Sequence, residues 1–175
     1  MCGGVLGRQK EPMNQQGSSR RQRKRWIRDR QKTMDSKEFW PVYKYIEGLG
    51  VAMDMHPTAP INMNGIDHRP LVPGMAFMFD TTLATVRMVM SGVFQKYPEL
   101  KLIVPHTGGI VPFIRGRVGR MIDAWTSPDD WADLSDSSQA YFDKIYLDTV
   151  AHSPEALAYV YKLYGAAKLL SLLPI

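Results

Sequence analysis

From Ser36 onward, amphipathic stretches and short apolar runs follow one another in regular alternation, an order that leaves few folds open. SKEFWPVYKYIEGLG comes first: Ser36 is an N-cap candidate, apolar residues recur at helical spacing, Pro41 falls near the first turn, and Gly48 and Gly50 are stops. VAMDM then reads as a strand ended by His56-Pro57. DTTLATVRMVMSGVFQKYP predicts a helix capped by Asp80 or Thr81, with Leu83, Val86, Met90, Val93 and Phe94 on its apolar face. Pro98 closes it, KLIVPH is a second strand, and a helix from about Gly109 to Ala124 follows. After SPDDWADLSDSSQAYFDK, a loop with a short helix, KIYLDTV is the third strand. Ser153-Pro154-Glu155 opens a helix running to about Tyr164, where Gly165 stops it, and AAKLLSLLPI holds the last strand. The strands fall at about 51–55, 101–105, 145–149 and 167–171.

Such repetition argues for a parallel sheet covered by helices, either doubly wound or a segment of a (β/α) barrel, and composition does not choose between them. No G-x-G-x-x-G follows a strand and no G-x-x-x-x-G-K-[ST] occurs, which removes the usual support for a nucleotide fold. TAPINMNGIDHRPLVPGM is too rich in Pro, Gly and Asn for regular structure. Its length marks it as a lid, a binding segment or a linker.

The net charge of +5 invites a polyanion reading until its location is considered. Residues 1–35 carry 10 Lys/Arg against 3 Asp/Glu, and residues 36–175 carry 12 against 14, so the basic character belongs to the N-terminal stretch. We read residues 1–35 as a disordered or weakly helical basic tail and residues 36–175 as the folded domain. RRQRKRWIRDRQK could serve as a nuclear-localisation or RNA-binding patch, with a solvated tail as the plainer reading. The single cysteine, Cys2, cannot form an internal disulfide, which agrees with a reducing compartment. No apolar run is long enough to span a membrane and the N-terminus lacks the core of a secretory signal, so a cytoplasmic location is expected.

Three of the four histidines, His56, His106 and His152, stand at or just beyond a strand end, and His68 lies in the long loop. Strand C-termini form the functional face of barrels and of open parallel sheets alike. Neutral imidazole is a good ligand for zinc and similar ions, although a lone strand-end histidine is more often a structural hydrogen-bonder. About fifty residues separate His56 from His106, one strand-loop-helix-strand unit, which in a barrel puts both on one rim.

At HTGGIVPFIRGRVGR the sequence resembles the amidohydrolase-related family of aminocarboxymuconate-semialdehyde and aromatic-acid decarboxylases. PVYKYIEGLG, MHP, the block FDTTLATVRMVMSGVFQKYPELKLIVPHTGG and YLDTVAHSPEALAYVYKLYGAAKLL agree in the family's order, so the likeness covers about residues 38–170. It implies a metal-dependent (β/α)8 barrel acting on a small carboxylated aromatic or muconate-like substrate, usually as a homo-oligomer. It implies that His56 is a metal ligand, for zinc or alternatively manganese. His106 would activate water or transfer the proton, and Arg117 would reach a substrate carboxylate, sometimes across a dimer interface. These roles suit an imidazole that exchanges its proton near neutral pH and a guanidinium that grips a carboxylate with two hydrogen bonds. Arg115 and Arg120 read as solvated or structural.

The family's first strand carries His-x-His, and its last strand leads to a Gly-Ser-Asp or Gly-Thr-Asp segment that supplies a further ligand. Neither occurs here, and residues 1–35 carry no family-like block. The expectation is therefore the second half of a TIM barrel, a truncated member with an incomplete metal site, inactive or weak alone. Metal-dependent hydrolysis of an ester, lactone or amide is the enzyme alternative. The non-enzyme alternative is an interaction protein working through the basic tail, which is also the one route to nucleic acid.

Overall fold

The computed structural model describes residues 32–57, 65–66, 68–125 and 131–171. Cys2 and the basic run up to Arg30 lie outside the described residues, as does much of TAPINMNGIDHRP. The elements belong to one unit, Thr33–Ile175. A 3-10 turn, Lys37–Phe39, leads into α1, Trp40–Leu49, with Pro41 in the first turn where a missing N–H costs nothing. Gly48 stays within α1; the stop is Gly50, whose φ of 68° glycine adopts without strain. Then come β1 (Ala52–Asp54), α2 (Phe77–Met90), α3 (Val93–Lys96), β2 (Lys101–Val104), α4 (Val111–Trp125), α5 (Ser138–Phe142), β3 (Tyr146–Asp148), α6 (Pro154–Tyr164) and β4 (Leu169–Leu170).

All four strands are parallel and lie in chain order, β1-β2-β3-β4, with Ala52 opposite Lys101, Ile103 opposite Tyr146 and Leu147 opposite Leu169. Each crossover therefore steps to the next strand in the same direction. Since such crossovers are almost always right-handed, the helices collect on one face of the sheet. Burial agrees: Met53, Met55, Leu102, Val104, Leu147 and Leu169 pack with Met88, Val89, Phe94, Val111, Phe142 and Val160 in one apolar core. The alternate strand residues, Asp54, Ile103, Tyr146, Asp148 and Leu170, stand outside that core. A doubly wound sheet would cover both faces, so the arrangement is a four-strand segment of a (β/α) barrel.

Two sequence expectations are corrected between β1 and β2. Val72–Ala76, read as irregular loop, form a π-helical turn running straight into α2, so the helix begins before Asp80, which lies in its first turn. On α2 itself Val86 and Met90 of the expected face pack against the core, but Leu83 does not, and threonines take part instead. Thr81, Thr82, Thr85, Met88 and Val89 are buried while Leu83 is 59% exposed. Threonine can face a core here because Thr85 Oγ1 donates to the Thr81 carbonyl (2.9 Å) and Thr82 Oγ1 to that of Met78 (2.6 Å). The helix ends at Met90; Gly92, at φ 77°, turns the chain before α3 buries Val93 and Phe94.

Thr33 to Asp35, placed by sequence in the tail, are bound to the helices. Arg87 donates to both carboxylate oxygens of Asp35 (2.9 and 2.8 Å), and the hydroxyl of buried Tyr43 donates to the Met34 carbonyl. Buried Gly119 in α4 faces Gln139 and Ser138 of α5 so closely that any side chain would collide with them. Ser153 caps α6 by accepting from the Ala156 amide (3.3 Å), as its sequence position predicts. Among the described residues no helix is long and apolar enough to cross a membrane.

Candidate functional site at the strand C-termini

Parallel strands send all their C-terminal ends to one edge, and here that edge receives His56 after β1, the HTGG segment after β2 and His152 after β3. The HTGG segment is unusual backbone. His106, Thr107, Gly108 and Gly109 have φ values of 54°, 56°, 84° and 62°, four consecutive residues at positive φ. His106, Thr107 and His152 are the non-glycine residues with positive φ among those described, and all three stand on this rim. Such conformations cost on the order of 1–3 kcal/mol each and persist only where surrounding bonds fix them.

The bonds that fix the segment come from Asp148, the last residue of β3. Its carboxylate, 3% exposed, accepts from the amides of His106 (2.9 Å), Thr107 (2.7 Å) and Val150 (3.1 Å). On the far side, Thr82 Oγ1 accepts from the Ile110 amide (2.9 Å), and the His106 carbonyl accepts from Gly109 (3.0 Å). The glycines are required by space as well as by φ. A Cβ on Gly108 would lie 2.8 Å from Leu147 Cδ2, and one on Gly109 would lie 2.8 Å from Thr82 Oγ1. Sequence reasoning placed His106 correctly at the strand end but passed over Asp148 and Thr82. The available signal was an acidic residue inside YLDTV, since aspartate is depleted from strands unless it has a local task.

The side chain of His106 is half-buried, and its Nδ1 is buried with no hydrogen-bond partner among the described residues. An unpartnered buried ring nitrogen is costly, which marks it as a place for a ligand or a proton acceptor. His56 is exposed, and its Nδ1 lies 2.9 Å from the Pro57 carbonyl. A carbonyl only accepts, so Nδ1 carries the proton and Nε2 keeps the lone pair that a metal would use. Against that one nitrogen, no group of three or more His, Cys, Asp or Glu able to hold a metal exists among the described residues. A catalytic zinc site takes three protein ligands, so the described residues do not fit a complete metal centre.

His152 is exposed at its left-handed position and His68 is exposed beyond β1. Arg117 lies six residues into α4, which starts at the rim and runs back along the sheet, placing it about 9 Å from the rim end. It is exposed beside Phe113 (81% exposed) and Arg120, on the face opposite buried Gly119 and Ile122. Arg115 turns inward instead. It donates to Gln139 Oε1 (3.0 Å) and Asp143, and its guanidinium lies over the Tyr164 ring at 5.0 Å. Burial pushes the pKa of Arg115 down, but the Asp143 bond and the surrounding charge leave it raised, so it is a structural cation. A cavity of about 330 Å³ lined by Ile122, Asp123, Leu134 and Asp136 opens beside the last turn of α4, at the opposite edge from the histidines.

The family model described as Amidohydrolase matches residues 13–170, starting upstream of the residue-38 limit read from the sequence blocks and so including part of the basic stretch. A 2-amino-3-carboxymuconate-6-semialdehyde decarboxylase of Dictyostelium discoideum is 33% identical over 141 residues, covering 78% of this chain and 38% of that protein. Among solved structures, 5-carboxyvanillate decarboxylase from Sphingomonas paucimobilis superposes with a TM-score of 0.72 at 26% identity over 80% of this chain and 43% of its own. A dihydroxybenzoic acid decarboxylase from Polaromonas sp. JS666, with bound manganese and the inhibitor 2-nitroresorcinol, gives 0.70 at 26% identity over 79% and 43%. The chain thus spans about two fifths of the length of these relatives.

Proposed function

We propose, from the premise that this chain belongs to the amidohydrolase family, that it carries the proton-handling half of the active-site rim of a carboxy-lyase for small carboxylated aromatic or muconate-like acids. The observation that carries the reading is His106: a strand-end imidazole on a backbone fixed by two bonds to the Asp148 carboxylate, with a buried ring nitrogen left unpartnered. Loss of carbon dioxide breaks a carbon–carbon bond and leaves its electron pair on the substrate carbon, which then needs a proton. An imidazole exchanging protons near neutral pH is suited to supply it, a contribution on the order of 100- to 10,000-fold in rate.

Arg117 would pair with the carboxylate, and its outward stance on α4 favours service to a neighbouring copy, consistent with a homo-oligomer. The chemistry of the relatives includes a divalent ion. The sequence likeness points first to zinc, the Polaromonas structure holds manganese, and His56 Nε2 is the atom of this chain proposed to reach it. The described residues alone supply too few ligands to complete its coordination. A reducing, cytoplasmic setting suits the lone cysteine, and the basic N-terminal stretch is proposed as a separate segment from the barrel domain.

The test is to incubate the chain with manganese or zinc and a panel of dihydroxybenzoates and carboxyvanillate, following carbon dioxide and acid release separately. The expected result is slow carbon dioxide release that falls to the buffer rate in His106→Ala, with well under one tightly held metal ion per chain by elemental analysis. Release unchanged in His106→Ala overturns the role of that residue; acid release without carbon dioxide selects hydrolysis instead. One tightly bound ion per chain would overturn the incomplete metal site.

A further inference from the structure

We propose that Asp148 is the positioning residue of this rim, setting the imidazole of His106 through the backbone rather than by touching the ring. The inference rests on the proposed role of His106 but has its own observations. A carboxylate ending a strand and 3% exposed would ordinarily pair with a cation. Asp148 instead turns its lone pairs on three backbone amides, two of them on the residues forced to positive φ. Consecutive amides turned inward around one anion form a nest, and here the anion is part of the protein.

The direction in which a side chain leaves the backbone follows from φ and ψ. At His106, with φ 54° and ψ 49°, the Cβ points where no strand or right-handed turn would send it. Releasing the two amides removes what holds that conformation, so His106 and Thr107 relax toward negative φ and the ring swings away. Because Asp148 also accepts from Val150, the same carboxylate fixes the start of the segment leading to His152, at φ 54°. Two histidine-bearing turns on adjacent strands are thereby registered by one side chain.

The experiment reads the ring directly, without substrate, in the full chain. In Asp148→Asn the amide oxygen can accept at most a share of these bonds, while its NH2 faces donors. The His106 ring carbon–proton NMR signal is expected to shift and broaden, and the amides of His106 and Thr107 to exchange about tenfold faster or more. Val89→Ala, a core truncation far from the rim, lowers Tm while leaving the ring signal in place, which separates positioning from general stability. Should Asp148→Asn fail to fold, Asp148→Asn with Thr107→Gly carries the test, since glycine takes positive φ without strain. A His106 signal superposable on wild type in whichever variant folds overturns the proposal. A shifted signal in a chain that releases no carbon dioxide upholds it and sinks the activity reading alone.

Discussion

At the residue scale, two glycines and one side chain make commitments that can be measured. Gly109 combines a φ of 62° with a neighbour 2.8 Å from the place of a Cβ, and Gly165 has a φ of 76° with open space around it. Gly109→Ala should therefore cost about 2–4 kcal/mol in urea denaturation, and Gly165→Ala, whose ψ of 166° is also glycine territory but whose surroundings are open, about 1–3 kcal/mol, the difference being the collision with Thr82 and the Met78 carbonyl. Tyr43 makes a claim about pH. Burial first, and the Asp35 charge second, push its phenol up to about 12. The folded state then holds the proton after the unfolded state has begun to lose it near 10, so stability present below pH 10 drains away as pH rises toward 12. Tyr43→Phe should flatten that alkaline slope while costing about 1 kcal/mol at neutral pH for the lost bond to the Met34 carbonyl, and tyrosinate absorbance against pH checks the late titration. His106 and the two glycines were visible in the sequence because a histidine and a glycine pair directly after an apolar run mark, by themselves, a strand end and a tight turn. Asp148 was not, because its partners are amides about forty residues away in the chain, and no local pattern announces them.

Elements were legible where their ends carry their own chemistry. Ser153-Pro154-Glu155 specifies the start of α6 by a hydroxyl, a fixed φ and a carboxylate, all local, and the helix runs from Pro154 to Tyr164 as those residues require. Ser153→Ala should lower stability by about 1 kcal/mol, read as a drop in the urea midpoint, because the Ala156 amide loses its acceptor. In α2 the local rules held in part. Leu83 shares a helical face with Val86 and Met90, and hydropathy assigns that face to the core; Val86 and Met90 do pack against it, while Leu83 is left exposed. Thr81, Thr82 and Thr85 are buried along with Met88; the Thr82 and Thr85 hydroxyls are satisfied within the helix, and the HTGG segment closes against Thr81 and Thr82. How far the buried face extends was decided by a neighbour across the fold, and periodicity in one segment does not contain that neighbour.

At the scale of the whole molecule, the alternation of helices and strands told of a parallel sheet, while the strand order told of a barrel segment. Spacing alone carries only the first, because it is the same for a sheet that grows in one direction and for one that doubles back; the barrel was legible through the family resemblance of the strand-end blocks, and the strand order bears it out. A sheet that grows in one direction without closing keeps two edges: among the described residues β1 and β4 each have one side without a strand partner. Met55 donates to the Ile103 carbonyl (3.0 Å), so the alternation of a parallel ladder turns the amides of Ala52 and Asp54 toward the open edge of β1. Beside that edge α1 presents Val42, Tyr45 and Leu49, spaced to share one face and each at least half exposed. An open row of donors beside an apolar surface is a template for pairing with another chain. Concentration-dependent association is therefore expected in analytical ultracentrifugation. Asp54→Pro, which removes an outward N–H but none of the bonds to β2, should shift it toward monomer without a matching loss of helix signal. Association that persists unchanged in that variant would mean that the chains meet elsewhere, with the exposed face of α4 around Phe113 and Arg117 the next surface to test.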